Sequence, residues 1–76
     1  MAEQTILIAE DDPDIRDGVR ILLSGEGYHI IEAENGTRAL EVFRPEVDLV
    51  ILDIMMPGMS GLRVCEELRK LSTVPI

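Results

Sequence analysis

Acidic side chains follow two of the most apolar segments of this 76-residue sequence. Glu10 and Asp11 come directly after the run Thr5–Ala9, and Asp53 comes directly after the run 47–52. In open α/β sheets, ligands bind outside the carboxyl ends of the strands. If the two runs are neighbouring parallel strands, we therefore expect the three carboxylates to converge in one pocket. Carboxylates held that close together repel one another unless a cation lies between them.

Three clustered carboxylates are hard oxygen ligands of the kind that Mg²⁺ uses, usually one or two at a time with several waters retained. A carboxylate beside such a metal can act as a nucleophile toward a phosphoryl group and form an acyl phosphate. The metal then offsets the negative charge of both reacting groups. The competing interpretation is that acids at strand ends are ordinary solvated surface residues. From the residues alone, both interpretations stay open.

The composition excludes several classes of protein. Fifteen Asp and Glu residues against seven Lys and Arg give a formal charge of −8, which argues against a basic face for nucleic acid. A single cysteine, Cys65, and a single histidine, His29, exclude both an internal disulfide and a Cys/His zinc site. No apolar run approaches the roughly 18–20 residues of a membrane span. Residues 1–5 lack a signal-peptide pattern, so we expect a cytoplasmic protein that does not bind membranes.

Periodicity and turn residues predict three strands alternating with three helices. The strands are expected at Thr5–Ala9, 28–33 and 47–52, and the helices after Asp12, after the Asn35-Gly36 turn and after Ser60. The apolar positions expected at helical spacing are Ile15, Val19, Leu22 and Leu23 in the first helix, and Val64 or Cys65, Leu68 and Leu71 in the third. This alternation predicts an α/β fold with a parallel sheet and helices on both faces.

Three segments together resemble the receiver domain of two-component response regulators: ILIAEDDPDIR, EAENGTRALE and DLVILDIMMPGMSGL. They are most similar to the subfamily that carries a winged-helix DNA-binding domain further along the chain. The resemblance covers residues 5–76 and implies a flavodoxin-like, doubly wound parallel sheet. Family receivers have five strands in the order 2-1-3-4-5. We therefore expect 1–76 to be the N-terminal portion of one receiver domain, with strand order 2-1-3 present and strands 4 and 5 missing.

The resemblance also implies a role for each matched residue. Asp53 matches the phosphoacceptor, and Glu10 and Asp11 match the acidic pair that organises Mg²⁺. Met55 matches the position whose backbone carbonyl completes the metal site. The implied partner is a sensor histidine kinase whose phosphohistidine supplies the phosphoryl group. The implied activity is regulatory rather than enzymatic, because the domain assists only its own phosphotransfer.

The sequence also departs from the family, and two other functions remain open. The Ser/Thr and Lys that contact the phosphoryl group in the family follow its fourth and fifth strands, so Thr73 and Lys70 match neither. One alternative is a non-phosphorylated fragment that forms homo-oligomers through the apolar edge of its third strand or by domain swapping. Another is a hydrolase with an aspartyl nucleophile of the haloacid-dehalogenase type. Those enzymes carry a second Asp two residues after the nucleophile, where this chain has Met55.

Overall fold

The structure, a computed structural model, describes residues 3–76. Strands and helices alternate along the chain, which confirms the predicted order. The elements are β1 (Thr5–Ala9), α1 (Pro13–Gly25), β2 (His29–Ala33), α2 (Gly36–Val42), β3 (Leu49–Leu52) and α3 (Gly61–Leu71). The strands β2 and β3 begin one and two residues later than the apolar runs suggested. Among these elements no helix is long and apolar enough to cross a membrane.

The three strands form one parallel sheet in the order β2-β1-β3. Leu7 lies opposite Ile31 on one side and opposite Val50 on the other. This confirms both the predicted α/β class and the strand order 2-1-3. The residues Ile6 to Ala9 of the central strand are at most 4% exposed. A strand covered on both faces is typically a nearly continuous apolar run, which is why β1 could be recognised in the sequence.

The main core lies between the sheet and the helices α2 and α3. Leu7, Ala39, Val64 and Leu68 are completely buried there. Leu71 was expected on the same face of α3 but is 69% exposed. It lies in the last turn of the helix, where no other element within residues 3–76 covers that face.

The helix α1 is less buried than its amphipathic pattern predicts. None of its residues is buried, and Ile15 and Leu22 are 53% and 69% exposed. Only Val19 and Leu23 among its predicted apolar positions are half-buried. The sheet has three strands here, and α1 packs mainly on β1 and β2. Several apolar side chains of α1 therefore stay largely exposed in the described part of the chain.

Side-chain caps fix where each helix begins. Asp12 Oδ1 accepts hydrogen bonds from the backbone N–H groups of Asp14, at 2.9 Å, and Ile15, at 3.4 Å. Asn35 and Ser60 cap α2 and α3 in the same way. Such caps satisfy N–H groups that have no partner inside the helix. Asn35 therefore begins a helix directly, where the sequence had indicated a separate turn.

Candidate metal centre

Three carboxylates gather at the carboxyl edge of the sheet. Glu10, Asp11 and Asp53 each offer one oxygen, and these oxygens all lie within 4.8 Å of one another. The cause is the strand register, because Ala9 lies opposite Leu52 and both strands end at the same edge. Glu10 and Asp53 are half-buried, whereas Asp11 is exposed. The structure thus brings together the three acids that the sequence singled out.

The loop between β1 and α1 is anchored on both sides of Glu10. The backbone N–H of Glu10 donates to the carbonyl oxygen of Ala33 at 3.1 Å. Its carbonyl oxygen accepts a 2.7 Å hydrogen bond from Nη1 of Arg16. Its carboxylate accepts from the backbone N–H of Asp12 at 3.2 Å. These bonds hold the first acid of the cluster in place through its main chain as well as through its side chain.

The loop between β3 and α3 holds Asp53 in a comparable way. The backbone N–H of Asp53 donates to the carbonyl of Ala9 at 3.0 Å, which extends the pairing of β1 with β3. Its Oδ1 accepts a 3.1 Å hydrogen bond from the backbone N–H of Met55. An Asp that bonds the N–H two residues ahead forms an Asx turn, which orders the chain as it leaves the strand.

The electrostatics of the cluster favour a cation. The pKa of the Glu10 carboxyl is raised above its ordinary value, chiefly by partial burial and further by the charges of Asp53 and Asp11. The hydrogen bond from the Asp12 backbone acts in the opposite direction. None of the ion pairs found between residues 3 and 76 involves Glu10, Asp11 or Asp53. Three mutually repelling oxygen donors therefore fit a hard divalent cation such as Mg²⁺.

The methionines after β3 divide into two groups. The side chain of Met55 is 82% exposed, and its backbone N–H is the one that bonds Asp53. Met56 is only 7% exposed, and Met59 packs partly buried against the same core. Met56 and Met59 therefore contribute to the core, whereas the Met55 side chain does not. The role of the Met55 carbonyl as a metal ligand stays a prediction.

Two residues that hold the site in place were not singled out in the sequence. Arg16 is 18% exposed and contacts the main chain of Glu10. Gly61 lies against the backbone at Asp53 and Ile54. The available signals were an arginine one turn into α1 and a glycine directly after the Ser60 cap. Neither signal says which main-chain atoms these residues will meet, because those atoms come from other elements.

Comparison with known proteins identifies the fold. Residues 6–76 match the family described as "Response regulator receiver domain". The chain belongs to this family. The three βα units described above, with their strand order 2-1-3, thus belong to a receiver fold, as the resemblance implied.

Similar receiver-containing proteins include several transcriptional regulators. The chain is 51% identical over 71 residues to the "Uncharacterized transcriptional regulatory protein YrkP" of Bacillus subtilis, covering 93% of this chain and 31% of YrkP. It is 45% identical over 74 residues to the "DNA-binding response regulator MtrA" of Mycolicibacterium smegmatis, covering 96% of this chain and 32% of MtrA. The chain therefore spans about a third of the length of these relatives.

Solved structures match the receiver fold closely. TrrA of Thermotoga maritima, crystallised in complex with Mg(2+)-BeF, superposes with a TM-score of 0.84 at 50% identity, covering 91% of this chain and 61% of TrrA. The complex of the histidine kinase ThkA with TrrA gives a TM-score of 0.83 at 48% identity, covering 95% of this chain and 63% of the matched chain. Receiver domains are typically regulatory and not enzymatic, and the response regulator protein TrrA is crystallised in complex with the histidine kinase ThkA.

Proposed function

We propose that this chain is a phosphoacceptor module of a two-component phosphorelay. Asp53 receives the phosphoryl group, and Mg²⁺ is held by Glu10, Asp11, Asp53 and the backbone carbonyl of Met55. The observation that carries the proposal is the approach of the three carboxylate oxygens to within 4.8 Å without a cationic partner among the ion pairs of residues 3–76. The structure of TrrA with Mg(2+)-BeF supports the same assignment by similarity.

The reaction is a transfer from nitrogen to oxygen. A carboxylate oxygen of Asp53 bonds to the phosphorus of a phosphohistidine on the kinase, the phosphorus–nitrogen bond breaks, and the imidazole leaves with a proton from solvent. The product is an acyl phosphate on Asp53. Bound Mg²⁺ would supply positive charge that reduces the repulsion between the carboxylate and the phosphoryl oxygens. The Met55 N–H fixes the orientation of the carboxylate before the transfer.

The relatives support an inference about the partner of this chain. We infer a sensor histidine kinase as the phosphodonor, because TrrA is crystallised with the histidine kinase ThkA. We also infer a cytoplasmic transcriptional response regulator of which residues 1–76 are the N-terminal part of the receiver. The names of YrkP and MtrA, and the third of their length that this chain spans, support that inference. Its DNA contacts would come from an output domain and not from this acidic segment.

Labelling with a small phosphodonor tests the proposal directly. Incubation of the chain with acetyl phosphate and Mg²⁺ should add the mass of one phosphoryl group. Asp53→Asn should abolish the gain while keeping the circular dichroism spectrum of the parent chain. Chelation of the metal should abolish it as well. A parent chain that gains no mass, or an Asp53→Asn variant that still gains it, would contradict the proposal.

A second candidate function is self-association through β3, favoured by the exposure of that edge. β3 pairs with β1 on one side, and on the other side Val50 donates a 2.9 Å backbone hydrogen bond to the carbonyl of Pro75. Ile51, Ile54 and Ile76 are 37%, 55% and 39% exposed around an apolar groove of about 440 Å³ beside this edge. An open apolar strand edge is a template for pairing with a second copy of the chain.

Light scattering over a wide concentration range tests this second function. We expect the 76-residue chain to associate, and Ile51→Lys to shift it toward the monomer because a charge on an edge strand opposes pairing. A parent chain that stays monomeric and folded throughout the range would rule the association out. Phosphodonor labelling distinguishes the two functions, since association alone requires no reaction at Asp53.

A further inference from the structure

The side chain of Arg16 connects α1 to the acidic cluster. The Arg16 side chain is 18% exposed, and its Nη1 donates a 2.7 Å hydrogen bond to the carbonyl oxygen of Glu10. Its Nε lies 3.7 Å from Oε1 of Glu32 on β2, and the same oxygen is 3.5 Å from Nε of Arg20. Glu32 on β2 therefore orients the Arg16 guanidinium through Nε, while Nη1 of the same group bonds the loop between β1 and α1.

The main chain of Arg16 holds the other end of the same loop. Its backbone N–H donates to the carbonyl of Asp12 at 2.9 Å. Arg16 thus binds the carbonyl oxygens on both sides of Asp11, one through its side chain and one through its backbone. Asp11 lies between these two anchored carbonyl groups, in the three-residue loop that joins β1 to α1. The planar guanidinium carries several donors in a fixed arrangement, so one arginine side chain contacts Glu10 and Glu32 together.

We propose that Arg16 is a positioning residue for the cation site, setting the placement of Glu10 and Asp11 through their main chain. The inference rests on the proposed function, because it takes those carboxylates as ligands of Mg²⁺. Within residues 3–76 the Arg16 side chain bonds the main chain of Glu10 and pairs with Glu32, and it forms no ion pair with the three carboxylates of the cluster. Its effect is to reduce the number of conformations that the two acids can adopt before they bind a cation, as residues behind metal ligands commonly do.

Positioning and simple electrostatics predict opposite changes in Mg²⁺ affinity when Arg16 is replaced. Arg16→Gln makes the chain one charge more negative, which by itself strengthens cation binding. Loss of positioning weakens cation binding. Removing a residue that orients metal ligands typically lowers metal affinity by about tenfold or more. Arg20→Gln is the matched control. It makes the same charge change on the same helix and also loses a contact with Glu32, but Arg20 does not bond the carbonyl of Glu10.

Titration with Mg²⁺ alone, followed through the backbone amide NMR signals of Asp11 and Asp53, tests the inference without any phosphorylation assay. We expect Arg16→Gln to weaken Mg²⁺ binding about tenfold, and Arg20→Gln to leave it unchanged or slightly tighter. A folded Arg16→Gln variant that binds Mg²⁺ as tightly as Arg20→Gln would overturn the inference. The dispersion of the same NMR spectra shows which variants are folded.

Arg16→Lys provides the test if Arg16→Gln does not fold. It keeps the charge but replaces the planar guanidinium with a single ammonium nitrogen on a flexible stem, which loses the fixed geometry of the contacts with Glu10 and Glu32. Mg²⁺ binding weaker than that of the parent chain supports the inference, and equal binding overturns it.

The titration of the parent chain also separates this inference from the proposed function. If the parent amides do not respond to Mg²⁺, the metal site itself is wrong, whereas a responding parent with unaffected Arg16 variants leaves the site standing and removes only the role of Arg16.

Discussion

Gly61 lies so close to the backbone of Asp53 that a Cβ atom at position 61 would overlap the carbonyl oxygen of Asp53. The same atom would lie 2.7 Å from Cα of Ile54, and the N–H of Gly61 donates to the carbonyl of Ile54 at 2.9 Å. The start of α3 is therefore in direct main-chain contact with the end of β3. This contact decides where the candidate phosphoacceptor lies relative to the helix that follows it.

Gly61→Ala should therefore affect both stability and the site. The added methyl group meets backbone atoms that cannot rotate away, and overpacking of this kind costs about 1–3 kcal/mol. We expect a lower thermal midpoint together with slower labelling of Asp53 by a small phosphodonor. Gly18→Ala is the control, because a Cβ there meets nothing within 4 Å. In the interior of α1 it should instead stabilise the chain, by about 0.5–1 kcal/mol. Equal midpoints for the two variants would contradict the close contact at Gly61.

Replacing Glu10 should improve stability without metal while removing metal binding. Partial burial and two neighbouring carboxylates raise the pKa of the Glu10 carboxyl, so its charged form at neutral pH opposes folding. Glu10→Gln removes that charge with little change in shape. We expect the metal-free thermal midpoint at pH 7 to rise by roughly 2–4 °C, the size of shift that about 0.5 kcal/mol produces in a domain of this length.

The control for Glu10→Gln is the same pair of proteins in excess Mg²⁺. The parent chain should gain stability from a ligand that binds only the folded state, whereas the variant should gain much less. As the pH falls, the parent Glu10 becomes protonated, so the metal-free difference between the two proteins should shrink. A difference that grows toward acid pH would show that the charge repulsion is not its cause.

Glu67 on α3 should titrate below its ordinary pKa of 4.5. Hydrogen bonding to Lys70, and then to Arg63, lowers the pKa of this carboxyl. Its oxygens lie 3.3 Å from the Lys70 ammonium and 3.1 Å from Nε of Arg63. A lowered pKa means that the contribution to stability is present above pH 4.5 and is lost as the pH falls through the lowered value. The titration midpoint of the carboxyl carbon in NMR measures this pKa directly.

Two substitutions check the causes of the Glu67 shift. Lys70→Gln should move the midpoint upward more than Arg63→Gln does, since the bond to Lys70 is the larger cause. High salt should also raise the midpoint, because exposed charges are screened. If the midpoint does not respond to either substitution, the two ion pairs seen on the surface of α3 do not persist in solution.

Alanine substitutions in α3 should distinguish a buried position from an exposed one by their effect on stability. Leu68 is completely buried, so Leu68→Ala should cost about 2–5 kcal/mol, which approaches the whole stability of a small domain. Leu71→Ala should change stability by less than about 0.5 kcal/mol, because that side chain is 69% exposed. Denaturant unfolding measures both. A large loss at Leu71 would mean that its side chain is covered in solution, for example by a second copy of the chain.

Much of this fold could be predicted from the sequence because its signals are local. The apolar run of β1 indicated a strand buried on both faces, and Asp12 and Ser60 marked the helix starts that they cap. The convergence of Glu10, Asp11 and Asp53 could be predicted from one assumption. The assumption is that the two strands that they follow, β1 and β3, are neighbours in the sheet. The motifs around Asp53 then indicated the receiver family. Composition alone excluded a zinc or disulfide scaffold.

Other features depend on atoms that only the tertiary structure brings together. The burial of Leu68 and the exposure of Leu71 differ although both fit one helical face, because neighbouring elements cover one turn of α3 and not the next. The contact of Arg16 with the Glu10 carbonyl requires α1 to pack at one particular angle across β1 and β2. The close approach of Gly61 to Asp53 arises from the path of a whole loop. Spacing along the chain fixes which residues share an edge or a face, whereas the packing of separate elements decides which main-chain atoms they touch.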